Sequence, residues 1–134
     1  KKTLTITYKN PFPPSDCNLE RGNLCLNAPL RNWLRVYVPK GSKMVTSKGS
    51  EVKIKTYDEL GKTVFEGFLI PRPLGKATFT ITYTLPFKLD GATLPLLIQK
   101  QPGVDKQETI IRVGDRKLES FPLIQDTKFN LQVR

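Results

Sequence analysis

Nearly every patterned segment of this 134-residue chain has a period of two. Leu4, Ile6 and Tyr8 alternate with Thr3, Thr5 and Thr7, and Leu34, Val36 and Val38 with Trp33, Arg35 and Tyr37. Val52 and Ile54 alternate with Lys53 and Lys55, and Phe79, Ile81, Tyr83 and Leu85 with Thr78, Thr80, Thr82 and Thr84. Phe129, Leu131 and Val133 close the series. Successive side chains of a strand leave opposite faces, so the pattern specifies strands with one face buried and one in water. Threonine suits the wet face because its branched Cβ fits the pleat. No helix-length stretch keeps a 3.6 period without a breaker.

Less regular strands are expected at about 43–47, 63–70, 95–100 and 108–113. Between them fall Pro39-Lys40-Gly41-Ser42, Lys48-Gly49-Ser50, Asp58-Glu59-Leu60-Gly61, Pro71-Arg72-Pro73-Leu74-Gly75, Leu89-Asp90-Gly91, Pro102-Gly103 and Gly114-Asp115, all turn-forming. About eight or nine short strands at this spacing predict an all-β fold, an antiparallel β-sandwich of Ig-like, Greek-key type, with a closed barrel as the alternative. The length fits a single domain over residues 1–134, with one long irregular loop at about 10–31. Leu34, Val36, Phe79, Ile81, Tyr83, Phe129 and Leu131 are the expected core, and Thr78, Thr80 and Thr82 the expected exposed face.

The chain has no histidine. That removes histidine-based general-base catalysis, the Ser/His/Asp and Cys/His triads and most zinc sites. Gly61-Lys62-Thr63 looks like the end of a phosphate loop, but position 56 is Thr and the residues that follow are strand-like. Asp16, Glu20, Asp58, Glu59, Asp90, Asp105, Asp115 and Asp126 are scattered, mostly beside turn residues. Turn formation is their expected role, with Ca²⁺ binding by loop aspartates the alternative. No catalytic residue, metal site or cofactor is therefore expected. Cys17 and Cys25 lie in a Pro/Asn-rich stretch with Gly22 between them, and a local disulfide is expected, which points to an oxidising compartment.

The net charge is +10, and residues 1–56 carry eleven basic and three acidic groups. An anionic partner and a merely solvated surface both fit that excess. Lys40, Lys43, Lys48, Lys53 and Lys55 are the candidate basic patch. Trp33, Arg35 and Tyr37 share a strand face and, if outward, form a stripe able to stack on a ligand. The preferred expectation is that a second element buries Trp33, since sandwich cores often hold one tryptophan. Trp33, Arg35, Tyr37, Lys53 and Lys55 are the candidate ligand-binding residues. The aromatics are too few for a single-strand nucleic-acid groove, so no nucleic-acid partner is expected.

Four stretches resemble a bacterial family: Y-K-N-P-F-P-P-S-D-C-N-L-E at 8–20, L-C-L-N-A-P-L-R-N-W-L-R-V-Y-V-P-K-G-S at 24–42, Y-D-E-L-G-K-T-V-F-E-G-F at 57–68 and L-L-I-Q-K-Q-P-G at 96–103. Together they are similar to the C-terminal, extracytoplasmic region of the domain-of-unknown-function family 4012. The resemblance implies a large cell-surface protein anchored by a membrane segment absent from this chain. It supplies no catalytic residue. The chain begins Lys1-Lys2-Thr3 and its only methionine is Met44, which fits a piece of a longer protein. The expected function is a non-catalytic extracytoplasmic module of a cell-envelope protein, serving as spacer, assembly or binding domain. The alternatives are a module that binds carbohydrate or an anionic cell-wall polymer, and an accessory domain of an enzyme whose catalytic part lies upstream. The partners in view are cell-wall polymer, polysaccharide and other surface proteins.

Overall fold

The computed structural model describes residues 1–88 and 90–132, and every strand pairing in it is antiparallel. Among the described residues ten strands follow in chain order: β1 (Lys2–Asn10), β2 (Asn32–Pro39), β3 (Lys43–Lys48), β4 (Lys55–Glu59), β5 (Lys62–Leu69), β6 (Gly75–Thr84), β7 (Thr93–Ile98), β8 (Gln107–Val113), β9 (Arg116–Leu123) and β10 (Thr127–Gln132). One 3-10 turn, Leu19–Arg21, interrupts the loop after β1. Leu89 of the expected 89–91 turn and Val133 of the last alternation lie outside the described residues.

The chain forms two compact units, Lys1–Phe87 and Lys88–Arg134, where the sequence pattern showed no linker. The first holds two three-stranded sheets, ordered β1-β6-β3 and β2-β5-β4. The chain passes repeatedly from one sheet to the other, so neither is contiguous in sequence. Their inner faces share one core of Leu34, Val36, Val38, Ile54, Phe65, Leu69, Phe79 and Ile81, with Leu4, Ile6, Tyr8, Ala77 and Tyr83 packed against it. The alternation of β1, β2 and β6 places these residues inward as expected. At the rim, Lys2 and Tyr83 are directly opposite; burial pushes the ammonium pKa of Lys2 down and the phenol of Tyr83 up.

Several expectations fail within this unit, and Thr80, expected on the exposed face, is half-buried. Thr82 is buried, not exposed: as a residue of the central strand it lies between Thr3 and Thr46 of the two neighbours. Tyr83 is only half-buried. Residues 52–54 are not a strand. Having left β3, the chain uses residues 49–54 to cross to the other sheet. There Glu51 N–H donates to Phe68 O at 2.9 Å, Ser50 Oγ accepts from Phe68 N–H at 3.2 Å, and Ile54 is buried while Val52 stays exposed. Gly67 leaves the room for this: a Cβ there would lie 2.7 Å from both Ile54 Cδ1 and Ser50 Oγ.

In the second unit β7 pairs with β10 and β8 with β9. Leu123 and Leu131 are buried, and the rings of Phe121 and Phe129 meet at 5.0 Å, with Phe129 half-buried rather than fully buried. Strand β9 was missed because its period breaks. Ile111 faces Glu119 and Arg112 faces Lys117, so Leu118 is an extra residue that resets the alternation. Asp126 anchors this unit's long loop by accepting from Lys100 N–H at 2.7 Å.

Candidate functional site

The outward face of β2-β5-β4 collects most of the predicted site residues. Register sets them in rows: Trp33 opposite Phe68, Arg35 opposite Glu66 opposite Lys55, and Tyr37 opposite Val64 opposite Tyr57. Residues level across antiparallel strands point to the same side. Leu34, Val36 and Val38 fill the core, so Trp33, Arg35 and Tyr37 must face out, and Trp33 is 56% exposed. This corrects the expectation that Trp33 is buried: both sheets already fill the space between them, and no element of the first unit lies over β2's outer side.

The stripe is a stacked ladder. The Arg35 guanidinium lies 4.2 Å from the Trp33 ring centroid and 5.5 Å from that of Tyr37, and Arg31 lies 3.9 Å over Phe68. Arg35 also donates to Glu59 Oε2 at 3.3 Å, and the Tyr37 hydroxyl donates to the same oxygen. The Tyr57 hydroxyl donates to Glu66 Oε2 at 2.8 Å. These hydrogen bonds to carboxylates are the first cause of the raised phenol pKa values of Tyr37 and Tyr57, because ionisation would give up the donor. Val64 is fully buried although it points outward, in the row between Tyr37 and Tyr57.

Glu59, Glu66, Tyr57, Phe68 and Arg31 were missed as members of this face. For the strand residues the one sequence signal is alternation, and it is weak: 55–59 carries few apolar side chains, and 62–69 has them on both sides. Lys55 stands on the face beside Glu66. Lys53 lies in the crossing segment, outside any strand, and does not share the alternation proposed for it. The expected lysine patch is divided: Lys40 pairs with Asp58 at 3.7 Å, whereas Lys43 and Lys48 sit in β3 of the other sheet.

That other sheet has a different outer face. Thr3, Thr5 and Thr7 of β1 meet Thr82, Thr80 and Thr78 of β6, with hydroxyl oxygens 3.0, 3.2 and 3.0 Å apart. Thr46 and Lys48 of β3 continue two of these rows. The strands β1, β3 and β6 carry Lys2, Lys9, Lys43, Lys48 and Lys76 and not one Asp or Glu.

Cys17 and Cys25 form a disulfide inside the 10–31 loop. Asn27 closes the loop below it, donating through Nδ2 to Phe12 O at 3.0 Å and Pro13 O at 2.6 Å, while its backbone exchanges bonds with Ser15. Asn18 caps the 3-10 turn, accepting from Glu20 and Arg21 N–H. The aspartates act locally: Asp16 accepts from Asn23, and Asp58 from Thr63. Gly61 with Leu60 forms the tight β4–β5 hairpin turn, both at positive φ, rather than a phosphate cradle.

No protein-family model, curated protein or solved structure matches this chain.

Proposed function

We propose that this chain is a non-catalytic, extracytoplasmic β-sandwich module of a bacterial cell-envelope protein, its first unit an Ig-like sandwich built from the two three-stranded sheets. The disulfide carries this reading. A nine-residue cystine loop in an exposed, proline-rich segment persists in an oxidising compartment and would be reduced in the cytoplasm. The shared core of two antiparallel sheets supports the sandwich. The resemblance of the 8–20 and 24–42 stretches to family 4012 supports a surface protein whose membrane anchor lies outside this chain. The test is a thiol count on denatured, unreduced protein isolated from its native host. No free thiol is expected; two free thiols would reject the reading.

A second reading, an anionic cell-wall-polymer-binding module, is favoured by the segregation of charge. On the β2-β5-β4 face Arg35 is paired with Glu59 and Lys55 stands level with Glu66, whereas the outward rows of β1-β6-β3 hold Lys9, Lys43, Lys48 and Lys76 and no acid. The hydroxyl rows between them offer donors and acceptors to a polyol or sugar chain. The measurement is retention on heparin with increasing salt. Lys43→Glu with Lys48→Glu should elute clearly earlier than wild type, and Lys53→Glu with Lys55→Glu less so, because Lys55 already faces Glu66. Equal shifts from the two pairs would remove the sheet-specific reading.

A further inference from the structure

The disulfide loop displays apolar side chains that a folded protein ordinarily hides. Phe12 is 68% exposed, Leu19 73%, Leu24 67%, Leu26 83% and Leu30 56%. Leu74, in the β5–β6 loop, is 67% exposed and holds a φ of +56°, a conformation that leucine seldom adopts. The two loops are one structure. Leu74 N–H donates to Phe12 O at 3.0 Å and Leu30 N–H donates to Pro71 O at 3.2 Å. The disulfide and the Asn27 bonds brace the loop from within, so these side chains are held outward by construction.

Cations stand at the strand ends that lead into and out of these loops. Lys9 and Lys76 are exposed and occupy opposed positions on β1 and β6, one residue before the strands end at Asn10 and Gly75. Two like charges level across antiparallel strands destabilise the pair unless an anion sits between them. No carboxylate is present in either strand to do so. Arg21 and Arg72 add exposed cations within the two loops. The acids at this end are Asp16, which accepts from Asn23, Glu20 in the 3-10 turn, and Glu51, paired with Arg31 at 2.6 Å.

From this arrangement we infer that the disulfide-braced end of the first unit docks on an anionic lipid surface, with Phe12, Leu24, Leu26 and Leu74 entering the interfacial layer and Lys9 and Lys76 meeting the head groups. A fluid interface accommodates apolar side chains that protrude one by one, whereas a protein partner needs a continuous complementary patch of roughly 800 Å². Juxtamembrane cations add attraction to anionic head groups. This inference stands apart from the compartment reading, since it concerns a surface and not a location.

The experiment is co-sedimentation of the intact chain with vesicles of phosphatidylcholine alone and of phosphatidylcholine mixed with phosphatidylglycerol. The protein should sediment with the mixed vesicles and remain in solution with the neutral ones. Leu24→Ser with Leu26→Ser should weaken binding about tenfold or more, because two apolar side chains no longer leave water. Both residues are exposed, so the thermal midpoint should be unchanged. Lys9→Gln with Lys76→Gln should weaken it by about threefold to tenfold. No binding to the mixed vesicles overturns the inference. Binding that the leucine pair does not alter also overturns it, since charge alone then suffices. Self-association in the absence of vesicles that the leucine pair abolishes assigns the surface to a second copy instead, and overturns it too.

Discussion

The two sheets of the first unit share one core yet turn opposite chemistries outward. On β2-β5-β4 the outward residues satisfy one another: Arg35 lies over Trp33 and Tyr37 and bonds Glu59, which also accepts from Tyr37, while Tyr57 bonds Glu66. On β1-β6-β3 the hydroxyls pair in rows, and the lysines have no acid in their own strands. The chain alternates between sheets, so a basic first half in sequence does not become one basic surface. It is sorted, strand by strand, into a face where cations and carboxylates stand level and a face whose strands carry no acid. A charge count along the sequence therefore says little about a β-protein's surface until each strand is assigned to a sheet.

The comparison rests on the common core, and breaking that core should erase both faces together. Phe79 is buried in the central strand β6 and belongs to the cluster that joins the sheets. Phe79→Ala should cost about 3–5 kcal/mol in urea unfolding, a large share of a small domain's stability. A near-neutral result would show that the two sheets do not share this core.

A smaller effect separates the sheets. Gly49 follows β3 at a φ of +92°, and a Cβ there would lie 1.9 Å from Thr78 O. Gly49→Ala should cost at least about 1–3 kcal/mol and release β3 from β6. Amide exchange should then accelerate in 43–48 while β2 and β5 stay protected. Acceleration in both sheets at once would mean that β3 is not an independent edge.

Much of this was legible in the sequence and some was not, for identifiable reasons. The alternation of β1, β2 and β6 reported both position and face, because each has one side in the core. It was silent on β4, where residues 55–59 carry few apolar side chains, and on β9, where the extra residue Leu118 breaks the period. It misled at 52–54, since the alternation of Val and Ile with Lys there belongs to a crossing held by Ser50 and Glu51. The stripe of Trp33, Arg35 and Tyr37 was visible, but its carboxylate partners were not: Glu59 and Glu66 come from other strands, and only register brings them level. The disulfide was readable from local spacing. The exposure of Leu24 and Leu26 around it was not, because an irregular loop has no period that assigns its apolar residues to a face.

Substitutions on the two outer faces should differ in size. Arg35→Gln removes the ion pair with Glu59 and weakens the stacking on Trp33, and should cost about 1 kcal/mol. Thr5→Val removes one hydroxyl contact with Thr80 but keeps the branched Cβ, and should cost about 0.2–0.5 kcal/mol, since Thr80 can still reach water. If the threonine change costs more than the arginine change, the hydroxyl rows are structural and not simply a wet surface.

The smallest effect is set by pH and belongs to the β2-β5-β4 face alone. Tyr37 and Tyr57 donate to Glu59 and Glu66, and both phenol pKa values are raised above the ordinary 10.0. A group whose pKa is raised on folding stabilises the fold fully below its unfolded pKa, and that contribution disappears as pH rises through the folded value. The window therefore opens near pH 10 and extends upward. Other groups titrate there: Tyr83, raised by burial, acts in the same direction, and Lys2, lowered by burial, acts in the opposite one. The variant Tyr37→Phe with Tyr57→Phe leaves those groups in place, so the difference in thermal midpoint between it and wild type isolates the two phenols. Wild type should be slightly the more stable at pH 8, and the gap should narrow as pH is raised beyond about 10. A gap that stays constant or widens over that range would mean that the two phenols do not donate to the carboxylates in the folded protein, and that the face is held by its arginines alone.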